Sequence, residues 1–411
     1  MIKSDPFAAI KIAEYRYLMA GRFTFIMGLR MMSTLVGWWI YNLTNDPFAI
    51  GLIGLSEVIP AISMALYAGH IIDLSEKKRL LLLTVFLYLI AVTMLFFFAS
   101  KYVSAHLTTH TIALCIYSVI FLTGVIRSFA GPTFSVLIAH IVPRDALQNA
   151  TTWNQGTWLS ASVTGHAAGG FLIALIGIRD TLGVVMALII ASLVLLRKVK
   201  KRAPLNERGE KKTWESVKEG LSFVFKTKEL LGAISLDLFA VLFGGAVAMV
   251  PVYARDILKA GPEGFGFLNG ASDLGSICIV VLLTFFPLRY KQGRTLLFAV
   301  AGFGTCIIVF ALSKVFWLSF LALGIGGMVD GISVVIRGTV TQLKTPDNMR
   351  GRVMSVNSMF INSSNELGQF ESGLAARLLG VVPSVIFGGS MTLLVVIVTW
   401  FKAPALRKME Y

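Results

Sequence analysis

The sequence predicts an all-α membrane protein of twelve transmembrane helices arranged in two pseudo-symmetric six-helix bundles. Three observations predict it. Apolar runs long enough to cross a bilayer follow one another along the whole 411-residue chain. Charged residues make up 14% of it, against roughly 25% in a soluble domain, and the mean hydropathy is +0.76. The longest polar stretch, "RKVKKRAPLNERGEKKTWESVKEG" from Arg197 to Gly220, falls near the midpoint.

About 20 apolar residues cross the hydrocarbon core, and tilted helices run longer. On that measure the first six spans fall near 16–42, 47–72, 79–99, 111–140, 147–177 and 180–197. They are separated in turn by Asn45-Asp46, the charged turn after Asp73, Ser100-Lys101, Pro143-Arg144-Asp145 and Gly177 to Asp180. The second six fall near 229–257, 263–288, 294–312, 315–344, 349–380 and 382–403, broken by Gly261-Pro262, Pro287 to Gly293, Ser313-Lys314, Pro346-Asp347 and Gly380. Residues 1–196 and 229–411 are therefore expected to form the two bundles, with 197–228 as the linker. The linker lies either in solvent or along anionic headgroups.

An even span count places both termini on one side, and charge says which. The loops and tails on the terminal side hold 27 of the 37 Lys and Arg residues. The opposite loops hold five, Lys101, Arg179, Arg255, Lys259 and Lys314, and five more lie within spans. Cytoplasmic loops collect Lys and Arg, so both termini are expected in the cytoplasm of a multi-pass protein of the bacterial inner membrane. The same rule accounts for the net charge of +15, which lacks the basic folded face and groove-reading element of a nucleic-acid binder. Cys115, Cys278 and Cys306 sit in apolar runs without metal or redox spacing. The N-terminus lacks the pattern of a removable signal peptide. No GxxxxGK[ST] or HExxH is present, and His106 with His110 in an outer loop is a weak metal signal. No cofactor, no metal and no enzymatic constellation is expected.

The halves resemble repeats. A shift of 203 lays Pro143 over Pro346 and Asn154 over Asn357, and a shift of 215 lays Gly51 over Gly266 and Arg79 over Arg294. Two parallel six-helix halves suggest a substrate site between them near the midplane.

The turn "GHIIDLSEKKR" carries Asp73 within the last turn of an apolar helix, next to Lys77, Lys78 and Arg79. A carboxylate there suits the positive N-terminal end of a neighbouring helix and can act as a latch. Gly69, Ile71, Asp73 and Lys77-Lys78-Arg79 resemble the Gly-x-Leu-x-Asp and basic-cluster signature of the major facilitator superfamily, with Glu76 where that family often has glycine. The second-half counterpart "PLRYKQGR" keeps Gly293 and Arg294 without an aspartate. "GVIRSFAGPTFSVLIAHIVPRDALQNA" and "MRGRVMSVNSMF" resemble the branch containing enterobactin exporters and related bacterial secretion-type permeases. The resemblance covers essentially the whole chain and implies secondary active transport, with Gly69, Asp73, Lys77, Lys78 and Arg79 as a conformational gate and a functional monomer.

Ionisable groups inside spans are costly and mark function by default, against the alternative of structural salt bridges. Arg127 resembles the helix 4 arginine that the superfamily often ties to proton coupling. Arg30 is placed to bind an anionic or catecholate-like solute bidentately or to neutralise Glu57 or Glu366. Arg22 and Asp237 stand at equivalent depths and are expected to pair across the pseudo-twofold, placing Arg22 with the gate and Asp237 with coupling. Glu57 and Asp273 sit at matching depths as candidate proton carriers. Asp330 and Arg337 share a helix face, as a coupling group and its counter-ion or as a plain salt bridge. Asn362, Asn365, Glu366 and Gln369 form one polar stripe on span 11, expected to face the substrate cavity. Gln155 and Trp158 lie on a comparable face of span 5, with His166 in "GHAAGG" where exporter branches of the family often carry proline. That imidazole is a further coupling candidate, and the departure weakens the antiporter reading.

Together these features predict proton-coupled efflux of a small amphipathic solute, a siderophore-like metabolite or a drug, by alternating access. The partners are the solute, protons and the lipid bilayer. An importer or a lipid permease of the same fold stays open, as does a non-transporting membrane sensor.

Overall fold

A computed structural model describes residues 7–143, 146–201, 213–286, 288, 290–346 and 349–410. Every regular element among them is helical. Helices α1 (Ala13–Thr44), α2 (Pro47–Leu74), α3 (Lys77–Phe98), α4 (Lys101–His106), α5 (Thr109–Ile141) and α6 (Leu147–Arg197) make up the first half. Ser100 and Thr108 accept backbone N–H groups at the starts of α4 and α5, satisfying donors that a helix leaves open. At 51 residues α6 is twice the length of one crossing, and it is broken at Gly177, with φ 80° and ψ 175°. Glycine reaches that conformation without a Cβ clash, so the break falls at the predicted boundary between spans 5 and 6.

The linker contains a helix of its own, α7 (Thr213–Lys226). The second half continues with α8 (Lys228–Phe243), α9 (Val250–Val252), α10 (Gly261–Phe285), α11 (Gln292–Leu312), α12 (Phe316–Lys344), α13 (Arg350–Leu379), α14 (Val381–Lys402) and α15 (Pro404–Arg407). The predicted span 229–257 is not one uniform helix. It leaves α-geometry at Gly244, runs through a 3₁₀ turn over Gly245–Met249 into α9, and ends in a π turn over Tyr253–Ile257. Gly244-Gly245 weakens the helix, and Pro251 has no amide to bond four residues back.

Ten stretches among the described residues are long and apolar enough to cross a membrane. Dividing α6 at Gly177 and adding α13, which its Asn, Gln and Glu residues keep below that apolar threshold, is consistent with twelve crossings.

The chain forms two compact units. The first is Met1–Trp39 with Ile59–Glu210, and the second is Ile40–Val58 with Lys211–Tyr411. This differs from bundles of 1–196 and 229–411, because the end of α1 and the start of α2 belong with the second unit. The reason is close packing on α13. A Cβ on Gly51 would stand 3.1 Å from the Gly373 Cα, and the Gln369 Nε2 donates to the Ile50 carbonyl at 3.3 Å. Phe48 and Phe370 meet with ring centroids 6.0 Å apart.

In the first unit, buried Phe25 meets Tyr88 edge-on at 5.2 Å and Phe134 at 6.0 Å. The Ser192 hydroxyl donates to the Gly21 carbonyl at 2.8 Å, joining α6 to α1. In the second unit, Leu236 and Ala240 of α8 pack with Leu296 and Val300 of α11 and Ile336 and Val340 of α12.

The basic turn after α2 is built inward. Lys77 is buried, and its ammonium donates to the carbonyls of Ile72, at the end of α2, and Ser75, the latter at 3.1 Å. A cation is favoured at these open C-terminal carbonyls. Lys78 donates to the Arg197 carbonyl at the end of α6 at 2.7 Å, whereas Arg79 is exposed. The two lysines thus tie two helix ends within the first unit. Lys77→Met is expected to lower stability by about 1–3 kcal/mol, since it strands buried carbonyls. Lys78→Met, at an exposed bond, is expected to cost less than about 1 kcal/mol. Melting of the two purified variants in detergent checks the ranking.

Candidate functional site

Helices α1 and α6 bring the polar groups of the first unit together. Their close contact depends on Gly165, where a Cβ would stand 2.7 Å from both the Met27 carbonyl oxygen and the Arg30 Cβ. At that contact the Arg30 guanidinium lies 4.9 Å from the centroid of the Trp158 ring. One turn along, His166 Nδ1 and the Thr34 hydroxyl share a hydrogen bond of 2.8 Å. Arg30, Trp158 and His166, predicted separately, therefore form one cluster. A cation resting on an indole face can take a planar anion or an aromatic ring. Gln155 is exposed on α6, and beside it Gly156 faces open space. Arg127 is half-buried on α5. Arg22 is buried, with its guanidinium 5.0 Å from the Phe134 ring centroid.

Asp237, expected to pair with Arg22, has a partner inside its own unit. Asp237 of α8 forms an ion pair with Arg337 of α12, and both are buried. Asp330, nearly two turns before Arg337 on α12, has its carboxylate 3.8 Å from the other terminal nitrogen. The Arg337 Nε donates to the Ser333 hydroxyl at 3.1 Å. The physical reason is reach. Direct packing of α8 against α12 puts a guanidinium beside the carboxylate, and a depth match across the repeat says nothing about neighbours. One buried cation thus stands between two carboxylates of unequal exposure, 7% for Asp237 and 43% for Asp330.

On α13 the polar stripe divides. Glu366 is buried, and its backbone carbonyl lies 2.5 Å from where a Gly54 Cβ would be. Gln369 is bonded to Ile50 as described above. These two stand in the seam with α2, while Asn365 is exposed and bonds its own helix at Ile361. The side chains of Asn362 and Asp73 lie outside the described residues; Gly69 is in the same helix end as Asp73. Glu57 on α2 and Asp273 on α10 are half-buried.

One cluster was not read from the sequence. Within the second unit the Tyr41 hydroxyl donates to the Asp256 carboxylate. Arg255 bonds that carboxylate at 2.7 Å and donates to the Asn42 side-chain oxygen at 3.1 Å, with its guanidinium 4.0 Å from the Tyr41 ring centroid. The sequence carried no usable signal for it, since the 215-residue offset between Tyr41 and Asp256 is a repeat match of the same kind as that between Arg22 and Asp237. Among the described residues, no group of three His, Cys, Asp or Glu side chains is placed to hold a metal ion.

The family described as transmembrane secretion effectors matches residues 4–411. The enterobactin exporter EntS of Escherichia coli O1:K1 / APEC is 23% identical over 340 residues, covering 82% of this chain and 79% of that protein. The multidrug efflux pump Tap of Mycolicibacterium fortuitum is 21% identical over 381 residues, 91% of each chain. Among solved structures, the POT family transporter PepTSo matches with a TM-score of 0.75 over 97% of this chain and 99% of that one, at 13% identity, a likeness of fold.

Removing one partner of a buried ion pair leaves an uncompensated charge and costs about 3–5 kcal/mol. Asp237→Ala is expected to lose that much, because it removes the nearer of the two carboxylates on Arg337 and leaves only Asp330 at 3.8 Å. Asp237→Ala with Arg337→Leu is expected to regain most of it, and Asp330→Asn alone to lose under about 1 kcal/mol. A double-mutant cycle of melting in detergent tests this order.

Proposed function

We propose that this chain, which belongs to the transmembrane secretion effector family of major facilitator transporters, exports a small amphipathic solute by alternating access, driven by proton entry. Membership makes it a multi-pass membrane transporter. The names of relatives, an enterobactin exporter and a multidrug efflux pump, support export and a siderophore-like or drug-like solute. The lysine-rich turns support a bacterial inner-membrane protein with both termini in the cytoplasm, acting as a monomer.

The observation that carries the coupling is the guanidinium of Arg337 standing between Asp237 and Asp330. A proton taken up by either carboxylate removes one of the two attractions holding the cation, and so changes which helix arrangement is favoured. Asp330, the more exposed acid, is the entry point, and Asp237 the group that holds the resting state. Arg127, His166, Glu57 and Asp273 are the remaining candidates on the proton path. Arg30 over Trp158, with Gln155 nearby on α6, is assigned to the solute. The α13 residues Asn362, Asn365, Glu366 and Gln369 are assigned to the same task.

Alternating access also requires contacts that can be broken. Residues 40–58 come from the first half of the chain yet belong with the second unit. The Tyr41, Asn42, Arg255 and Asp256 clasp and the glycine contacts of α2 with α13 supply such an interface.

Vesicles carrying the purified chain and an imposed proton gradient test the reading. Catecholate siderophores, carboxylate siderophores and lipophilic cations are added in turn, and internal pH is followed. At least one class is expected to move protons with wild type. Asp330→Asn is expected to cut that movement about tenfold or more while solute exchange without a gradient persists. Equal proton movement in wild type and Asp330→Asn would remove the coupling role, and silence to every class would remove proton-coupled export of these solutes.

A further inference from the structure

A cavity of about 590 Å³ opens on the side of the second unit, between α8 and α14. Its walls include Leu231, Phe239, Leu394 and Val398. Three of these turn much of their surface outward, with Phe239 45%, Leu394 48% and Val398 50% exposed. Both helices are apolar enough to cross the membrane, so in a bilayer these side chains meet acyl chains. The slot is held open by its closed end. Gly232 packs on Leu406, whose Cβ would be 3.2 Å from a Cβ there, and Leu406 is fully buried in α15.

Charge at this end has one sign. Lys228 is the first residue of α8 and Lys402 the last of α14. The helices run in opposite senses along the slot, so both lysines line it and both are exposed. The adjacent acid, Glu229, pairs with Lys344 of α12 at 3.5 Å instead. Among the described residues the lining contains no carboxylate. Ser235 and Thr399 add hydroxyls to a surface that is otherwise mainly apolar.

We propose that this slot is a binding site for one anionic phospholipid, with an acyl chain along Leu231, Phe239, Leu394 and Val398 and the phosphodiester between Lys228 and Lys402. The occupant is fixed by two demands that a soluble solute does not meet together: an apolar tail delivered from the bilayer side, and a headgroup whose phosphate charge no amine cancels. Basic pockets between transmembrane helices suit such headgroups, and each lysine near a membrane surface adds roughly fivefold in affinity. The site lies within the second unit and stands whether or not the coupling scheme above is correct.

Native mass spectrometry of the full chain in detergent, titrated with phosphatidylglycerol or with phosphatidylethanolamine of the same acyl chains, tests it. Wild type is expected to hold one phosphatidylglycerol about tenfold more tightly than phosphatidylethanolamine. Lys228→Gln with Lys402→Gln is expected to erase that preference, and Lys200→Gln, an exposed lysine of the first unit, to keep it. Val398→Trp fills the slot with both lysines intact, and is expected to lose the bound lipid while melting as wild type does. It decides the matter if the double lysine variant does not fold. Equal affinity for the two lipids in wild type, or unchanged phosphatidylglycerol binding in Val398→Trp, overturns the proposal. Displacement of phosphatidylglycerol by millimolar glycerol 3-phosphate overturns it as well, since it would identify a site for a soluble phosphate with no use for the acyl chain.

Discussion

Hydrocarbon offers neither hydrogen bonds nor counter-ions, so every backbone polar group that a spanning chain turns toward it must be satisfied by the chain itself. The rest of the structure depends on that constraint. It leaves helices as the regular elements among the described residues. Among the described residues, the departures from α-geometry inside predicted spans have a chemical cause, at Gly177 in α6 and over Gly244 to Ile257 around Pro251. It also explains why Lys77, in a turn rich in charge, folds back onto the carbonyls ending α2.

The same constraint turns charge into mechanism. Burying an arginine without a counter-charge is costly, and Arg337 has two carboxylates within reach. In water such a triad would be a minor surface feature. Between packed helices, the loss or gain of one proton changes the balance by several times thermal energy. In the proposed scheme buried charge serves stability and switching at once, and variants of Asp237 and Asp330 are the means of separating the two roles.

Helices in lipid gain little from hydrophobic burial against one another and rely on close contact between small residues. Gly165 brings α6 onto α1 and so places Trp158 beneath Arg30. Gly51 and Gly373 do the same for α2 and α13, which is why residues 40–58 group with the second unit. Smooth contacts of this kind can separate and re-form with little rearrangement, which suits a transporter whose two states differ in helix contacts.

The sequence by itself determined the fold class, the order of the spans and the place of the break in α6, because these depend on local properties: hydropathy over about 20 residues and a glycine at a turn. It also marked the buried charges, since an ion in an apolar run is visible without neighbours. Only the tertiary structure decided who partners whom. Asp237 meets Arg337, Glu366 and Gln369 stand in a seam with α2, and Tyr41 reaches Asp256 across 215 residues. Periodicity tells which face of a helix a residue occupies. The neighbour that face meets is set by the packing of helices far apart in the chain, where a glycine in place of a larger residue moves one axis against another by ångströms.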